Sequence, residues 1–325
     1  MKQIAILFII ATFIFHSCQR QHEIPMKIIR MEKDLFSIPI DSVRANIPRL
    51  EQQYGDLLNI YSIMTLRIGS PQDSGYSNEL AKFLNDTDMK LVFEKVMDKY
   101  PELNDIEKGL GNAFYYYSKE FPDRAIPSVY TLISALNEPL IVDENILAIA
   151  LDKYLGKNEE IYSWMDMPNY LRKLTERKYI VPQSMEAWIT TEFPFNDSIN
   201  NVLTNVLYQG KLKYCLNKIL PNTPDSIIFG YSPNQMLWCK DNTARMWTHL
   251  VENKLLFSTD MFTIRKLIQH APFSFSAHES PGRAVNWLGY QIITSYMKHN
   301  RERTLEELLL DNDYHKILLE AKFKP

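Results

Sequence analysis

The segment from Glu144 to Gly156, ENILAIALDKYLG, is predicted to form a helix that is apolar on nearly all sides. Asp152 places a carboxylate within this helix. A zinc peptidase holds its metal on such a helix, with two histidines four residues apart and a glutamate directly after the first. In the best register those positions hold Leu151, Asp152 and Leu155. Because leucine has no lone pair to offer, this segment cannot hold zinc, and only a carboxylate stands where the general base would be.

No other set of residues in the sequence has the spacing of a catalytic or metal site. The histidines without ligand spacing are His22, His249, His270, His278, His299 and His315. The sequence contains no G-x-S-x-G elbow, P-loop or dinucleotide fingerprint, and no reactive-cysteine context. We therefore predict no catalytic residues, no metal site and no cofactor.

Asp152 and Arg283 are nevertheless candidates for a cleft. An unpaired buried carboxylate is costly, so Asp152 should have a partner or reach a cavity. Arg283 is predicted in the first turn of a helix, ESPGRAVNWLGYQIITSYM, where a cation opposes the helix dipole. That position suits a pair with Glu279 or Asp152, or contact with an anionic ligand. The candidate cleft residues are therefore Asp152, Tyr154, Glu279 and Arg283. Pairing of Arg283 with a carboxylate of the protein, without a ligand, is the simpler interpretation.

The surrounding pattern predicts a mainly α fold with a small β-sheet, of the α+β class. Apolar residues spaced by three and four predict many helices, among them 144–155, 200–220, 234–252 and one launched by Ser280 and Pro281. The predicted strands are 26–31, 126–134 and a short edge strand in NEPLIVDE. Thr304 and Glu307 match a capping box. The order strand, edge strand, apolar helix is that of zincin-like folds, so a degenerate metallopeptidase architecture is expected.

The N-terminal residues 1–17 have the features of a secretory signal. Their apolar run would make a helix of about 18 Å, too short for a hydrocarbon core of about 30 Å. The run ends in FHSC, which resembles a bacterial lipobox, in which the signal is cut before a cysteine that is then acylated. This predicts a lipid such as palmitate on Cys18, a polar tether over 18–25 and one domain over 26–325. The alternatives are an ordinary signal peptide or a short transmembrane anchor.

Charge and the residues after Cys18 bear on partners and location. The formal net charge is -3 and the sequence has no basic stripe, which excludes nucleic acid as a partner. Gln19 follows Cys18 without an acidic run, which favours a position facing the periplasm, anchored to the inner or the outer membrane.

Cys215 and Cys239 allow one disulfide, and buried free thiols are an equal alternative.

Several segments together resemble the gliding-motility lipoprotein GldB family of Bacteroidetes. They are IIRMEKDLF, PSVYTLIS, ILAIALDKYLG, LTNVLYQGKLKY, FGYSPNQMLWCKDN and, most specifically, ESPGRAVNWLGYQIITSYMKHN. The resemblance implies an envelope lipoprotein required, in motile relatives, for gliding and the associated type IX secretion, with partners in that machinery. It carries over no catalytic residues. More remotely, the LDKYLG and PGR segments resemble paired helices of predicted zinc-dependent peptidases, which implies a pseudo-peptidase here.

Three functional hypotheses follow from these observations. The leading one is a non-catalytic, lipid-anchored envelope protein with a binding or assembly role. An enzyme hypothesis makes Asp152 and Arg283 the centre of a cryptic hydrolase. The third is a module that uses the relic cleft to bind a peptide or a cell-wall strand. An open, polar-lined groove beside residues 144–155 would favour the third, and a filled groove would favour assembly.

Overall fold

The computed structural model describes residues 23–275 and 280–325 of the chain. Its strands are β1 (Ile28–Arg30), β2 (Ser128–Leu132), β3 (Leu140–Asp143) and β4 (Ile146–Ala150). Its helices are α1 (Met31–Phe36), α2 (Val43–Tyr54), α3 (Asp56–Ile60), α4 (Tyr76–Asn85), α5 (Thr87–Lys99), α6 (Asn104–Glu120), α7 (Asn169–Arg172), α8 (Ile180–Glu192), α9 (Val202–Ile219), α10 (Asp225–Phe229), α11 (Pro233–Asp241), α12 (Thr243–Glu252), α13 (Met261–Ile268), α14 (Val285–His299), α15 (Leu305–Leu310) and α16 (Tyr314–Ala321). The predicted α+β class is confirmed.

The strands form one mixed sheet in the order β1-β2-β4-β3. β1 and β4 both run parallel to β2, and β3 pairs antiparallel with β4. One row of paired residues crosses the whole sheet, from Ile28 through Val129 and Leu147 to Val142. The strands predicted at 26–31 and 126–134 are confirmed, and the strand in NEPLIVDE does lie at an edge.

The helix predicted over residues 144–155 is wrong. A tight turn, β4 and a single 3-10 turn, Leu151–Tyr154, occupy this segment. Leu147 and Ile149 on one face of β4 belong to one hydrophobic core, and Ala148 on the other face belongs to a second. A strand buried on both faces is a continuous apolar run, which periodicity cannot distinguish from a buried helix. The expected metal-site helix is therefore not formed, and the zincin-like architecture stays a prediction.

The sheet contributes to two cores. The smaller core contains residues of α1 to α4, such as Leu50, Leu57 and Leu80, with Ala148 and its neighbours on one sheet face. The larger core contains the opposite sheet face and residues of α6, α8, α9 and α14. Two helices of the larger core, α8 and α9, carry part of the candidate site.

Helix α9 lies inside the larger core, with 14 of its 18 residues buried. It packs most extensively against α14, and the two helices meet at Gly210 and Gly289. A Cβ atom on Gly289 would overlap the main-chain oxygen of Val206. Close packing of α9 against α14 therefore requires glycine at position 289.

Two predicted helix boundaries differ from those observed. The helix predicted over 234–252 is interrupted at Asn242, so α11 and α12 are separate helices. The helix predicted to start at Ser280 begins five residues later, at Val285. The Ser280 hydroxyl instead accepts a hydrogen bond from the main-chain N–H of Phe275 at 3.2 Å. Arg283 therefore precedes the helix and is not in its first turn.

Local signals near the C-terminus and at the cysteines are clearer. Thr304 and Glu307 form the predicted capping box at the start of α15. Cys215 and Cys239, whose pairing the sequence leaves open, are free and buried. Burial raises the pKa of Cys239 to about 12, so this thiol is protonated at neutral pH.

The predicted signal 1–17 and Cys18 lie outside the described residues. The predicted tether, 18–25, is in part fixed to the fold, because the main-chain N–H of Ile24 donates to the oxygen of Gly111 at 3.0 Å. A Cβ atom on Gly111 would overlap the main-chain oxygen of Ile24, so this contact requires glycine. Within residues 23–275 and 280–325, none of the helices is both long and apolar enough to cross a membrane.

Candidate functional site

A cavity of about 260 Å³ lies beside the 3-10 turn that follows β4, between that turn, α8, α9 and α10. Of the predicted cleft residues, Tyr154 and Arg283 line this cavity, but Asp152 does not. A second cavity of about 280 Å³ adjoins it and shares Leu174, Gly230, His270 and Arg283 as lining residues. Polar and charged groups thus line an open groove at the place where the sequence predicted a cleft.

An ion pair between α8 and α9 forms one wall of the cavity. The Lys213 ammonium lies 2.6 Å from Glu186 Oε1 and also donates to the main-chain oxygen of Ile228 at 3.0 Å. The Lys213 side chain is 1% exposed, whereas 24% of the Glu186 side chain remains accessible. Burial alone would raise the pKa of Glu186, but Lys213 and Arg283 outweigh it and hold that pKa below its usual value. Glu186 is therefore ionised at neutral pH.

Arg283 lies in the loop before α14 with a left-handed backbone, φ 59°. The Tyr231 hydroxyl donates to the main-chain oxygen of Arg283 at 2.7 Å and supports this conformation. The guanidinium has no hydrogen-bond acceptor or ion-pair partner among residues 23–275 and 280–325. The predicted partner Asp152 is thus not its partner, and the other, Glu279, lies outside the described residues. The side chain lines both cavities.

Asp152 is fully buried and holds the turn after β2. Its Oδ1 accepts from the main-chain N–H of Ser134 at 3.0 Å, and its Oδ2 accepts from that of Leu136 at 2.6 Å. Leu136 and the preceding Ala135 both have left-handed backbones, with φ of 61° and 54°. Burial raises the pKa of Asp152, and the main-chain donors partly offset the rise. Both oxygens of the Asp152 carboxylate are therefore used in hydrogen bonds that stabilise this turn.

Tyr154 is held by hydrogen bonds at both ends. Its hydroxyl donates to Gln183 Oε1 at 2.7 Å, and its main-chain oxygen accepts from the Tyr100 hydroxyl. Burial raises the pKa of Tyr154 well above its usual range, so the phenol stays neutral. Tyr154 and Gln183 therefore present fixed polar groups to the cavity.

The arrangement suits binding of an anionic group. The cavity of about 260 Å³ is called the inner cavity below. Its described lining contains three cationic side chains, Lys153, Lys213 and Arg283, and one acidic side chain, Glu186. His270 keeps part of its surface exposed, but desolvation and Arg283 lower its pKa to about 4, so its ring is neutral at pH 7. Charge at the site is thus positive overall.

No group of three or more His, Cys, Asp or Glu side chains in the described ranges could hold a metal ion.

The model of the gliding motility protein GldB family matches residues 17–325. The chain belongs to the GldB family. Membership of this family associates the chain with gliding motility. No curated protein and no solved structure matches the chain.

Glu186 and Lys213 were not among the residues predicted from the sequence, and His270 was set aside because it lacks ligand spacing. Lys213 lies in LTNVLYQGKLKY, a segment that carries the GldB resemblance, and α9 is buried on nearly all sides. A lysine in a helix of that kind must find a counter-charge, because an isolated buried ammonium is costly. The sequence therefore indicated that Lys213 needs an acidic partner. It did not identify that partner, because Glu186 lies on a different helix, α8.

Proposed function

We propose that this chain is a lipid-anchored protein of the cell envelope that serves gliding motility, and the associated type IX secretion, by binding and not by catalysis. The observation that carries this proposal is the family match over residues 17–325. The small Ser17 directly before Cys18, in a segment that resembles a lipobox, supports lipid attachment at Cys18. In this proposal the folded part faces the periplasm, next to the inner or the outer membrane.

The geometry of the acidic residues supports binding over hydrolysis. A general base or nucleophile must be within hydrogen-bonding reach of the substrate. Both oxygens of Asp152 are engaged by the turn after β2, and Glu186 contacts Lys213. The cavity beside Tyr154, with charged groups on a partly apolar wall, favours a module that binds a ligand, the third of the hypotheses drawn from the sequence. A relic of a peptidase cleft is one origin for such a cavity.

The assembly part of the proposal is tested by crosslinking in living cells. A tagged copy is crosslinked and purified, and its partners are identified against an unrelated lipoprotein handled in the same way. We expect components of the motility or secretion machinery to be enriched over that control. Equal recovery of those components with both proteins would overturn the assembly role.

The anchoring part is tested by fractionation. Cys18→Ala should move the protein from the membrane fraction to the soluble fraction, because acyl chains supply the attachment. Cys239→Ala, which removes a buried free thiol, is the matched control and should stay in the membrane fraction. Membrane retention of Cys18→Ala would contradict lipid attachment at this residue.

A further inference from the structure

We propose that the cavity beside Arg283 binds a single carboxylate group carried on a small apolar body. The proposal goes beyond the envelope role and does not depend on lipid attachment at Cys18. Three observations carry it: an arginine whose side chain has no hydrogen-bond acceptor among residues 23–275 and 280–325, an excess of positive charge among the described residues of the wall, and a cavity of about 260 Å³ with apolar surfaces.

Two of the three cations that line the inner cavity make direct hydrogen bonds or ion pairs with described residues. The Lys213 ammonium is paired with Glu186 at 2.6 Å. The Lys153 ammonium donates to the main-chain oxygen of Leu136 at 2.7 Å, and the Asp152 carboxylate behind the wall attracts it. Arg283 alone has no acceptor among residues 23–275 and 280–325. Glu186 attracts Arg283 as well as Lys213, so among the described residues one carboxylate on the wall faces three cations.

A guanidinium is well suited to supply the missing interaction. Its planar donors match the two oxygens of a carboxylate and form two parallel charge-assisted hydrogen bonds. Arg283 lines both the inner and the adjoining cavity, so a ligand can reach it from either side. The main-chain oxygen of Arg283 accepts a hydrogen bond from the Tyr231 hydroxyl, which holds the residue in place at the wall shared by the two cavities.

The remaining wall suits an apolar body. Met167, Leu171, Leu174, Pro182, Ile227 and Phe229 line the inner cavity. Its volume of about 260 Å³ exceeds the roughly 150 Å³ that accommodates benzene in a protein interior. A branched or aromatic side chain with an adjacent carboxylate would bury its apolar part here and leave its charge at Arg283.

Charge balance selects a carboxylate over a phosphate monoester. A phosphate monoester carries about -1.5 to -2 at neutral pH, whereas a carboxylate carries a single charge. Because Glu186 is ionised and lies on the same wall, a second negative charge would meet repulsion that a carboxylate avoids.

The test measures binding of benzoate, benzamide and phenyl phosphate to the full-length protein in detergent, by calorimetry and ligand-observed NMR. We expect saturable binding of benzoate, and binding at least about 10-fold weaker for benzamide, which lacks the charge. Phenyl phosphate should bind more weakly than benzoate. Equal affinities for benzoate and benzamide, or no binding of benzoate, would overturn the proposal.

The residue assignment is tested with matched variants. Arg283→Gln should weaken benzoate binding about 10-fold or more, and Arg283→Lys should retain part of it, because the charge remains without the paired donors. The control is Arg245→Gln, which removes an exposed cation from a separate cavity of about 810 Å³. Thermal unfolding of each variant excludes loss of the fold. Unchanged benzoate affinity in folded Arg283→Gln would contradict the assignment.

Discussion

Gly210 on α9 and Gly289 on α14 lie so close that a Cβ atom on either would overlap the main chain of the facing helix. Because main-chain atoms cannot move aside as a side chain can, we expect Gly289→Ala to lower the free energy of unfolding by about 3 kcal/mol. The measurement is chemical denaturation. Gly75→Ala is the control, since a Cβ there meets nothing within 4 Å, and its change should stay within about 0.5 kcal/mol. Equal stabilities of the two variants would contradict the close packing.

Asp152→Asn should destabilise the protein by about 2 kcal/mol, because an amide offers one acceptor oxygen and would turn an N–H group towards a main-chain donor. Ser134 and Leu136 are the donors concerned. Asp197→Asn, at an exposed position, is the control and should unfold like the wild type. Asp152→Asn that is still folded should continue to bind benzoate, because Arg283 remains in place. A peptidase or glycosidase activity that disappeared in this variant would instead support the hydrolase hypothesis.

Lys213→Met should lower the free energy of unfolding by about 3 kcal/mol, because it leaves the Glu186 carboxylate beside the cavity without its cation. Adding Glu186→Gln should restore at least half of that loss, since the double variant has no unpaired charge. Denaturation of the two single variants and the double variant gives the coupling energy. Additive losses would contradict a direct interaction between the two side chains.

The buried Lys211 should make the free energy of unfolding increase with pH above about pH 8. Its ammonium is buried, donates to the main-chain oxygen of Asp311, and lies 4.5 Å from the centre of the Tyr314 ring. Burial lowers its pKa from 10.5 to about 8. Between these two values the unfolded chain binds more protons than the folded protein, so stability increases with pH over that interval.

We expect the wild type to gain about 1.5 kcal/mol of unfolding free energy between about pH 8 and about pH 9.5, relative to Lys211→Met. The comparison with the variant removes contributions of groups that both proteins share. Denaturation at the two pH values provides the measurement. Parallel changes in both proteins would show that Lys211 keeps an ordinary pKa.

Features set by neighbours in sequence were predictable. The capping box at Thr304 and Glu307 needs two residues three apart, and the alternation of β2 reports one strand. The β4 segment was misread because both of its faces are buried, which removes the alternation that identifies a strand. The class of the fold survived this error because helices elsewhere dominate it.

The candidate site was predictable in part. Tyr154 and Arg283 do line one cavity, although both were predicted in helices and neither lies in an α-helix. The Glu186–Lys213 pair joins helices α8 and α9, so its formation depends on tertiary packing. Asp152 was correctly expected to need a partner, but main-chain donors two residues apart in a left-handed turn leave no pattern that a single sequence reveals.

The fastening of Ile24 to Gly111 sets a distance as well as a contact. Six peptide units separate Ile24 from Cys18, and an extended chain covers at most about 3.5 Å per residue. With acyl chains on Cys18, as proposed, the folded body would lie within about 20 Å of the bilayer surface. A force applied to the anchor would then reach α6 and, four residues later, β1, with little slack to absorb it. An anchor at Cys18 would therefore hold the folded protein close to the membrane surface, because the connecting segment is short.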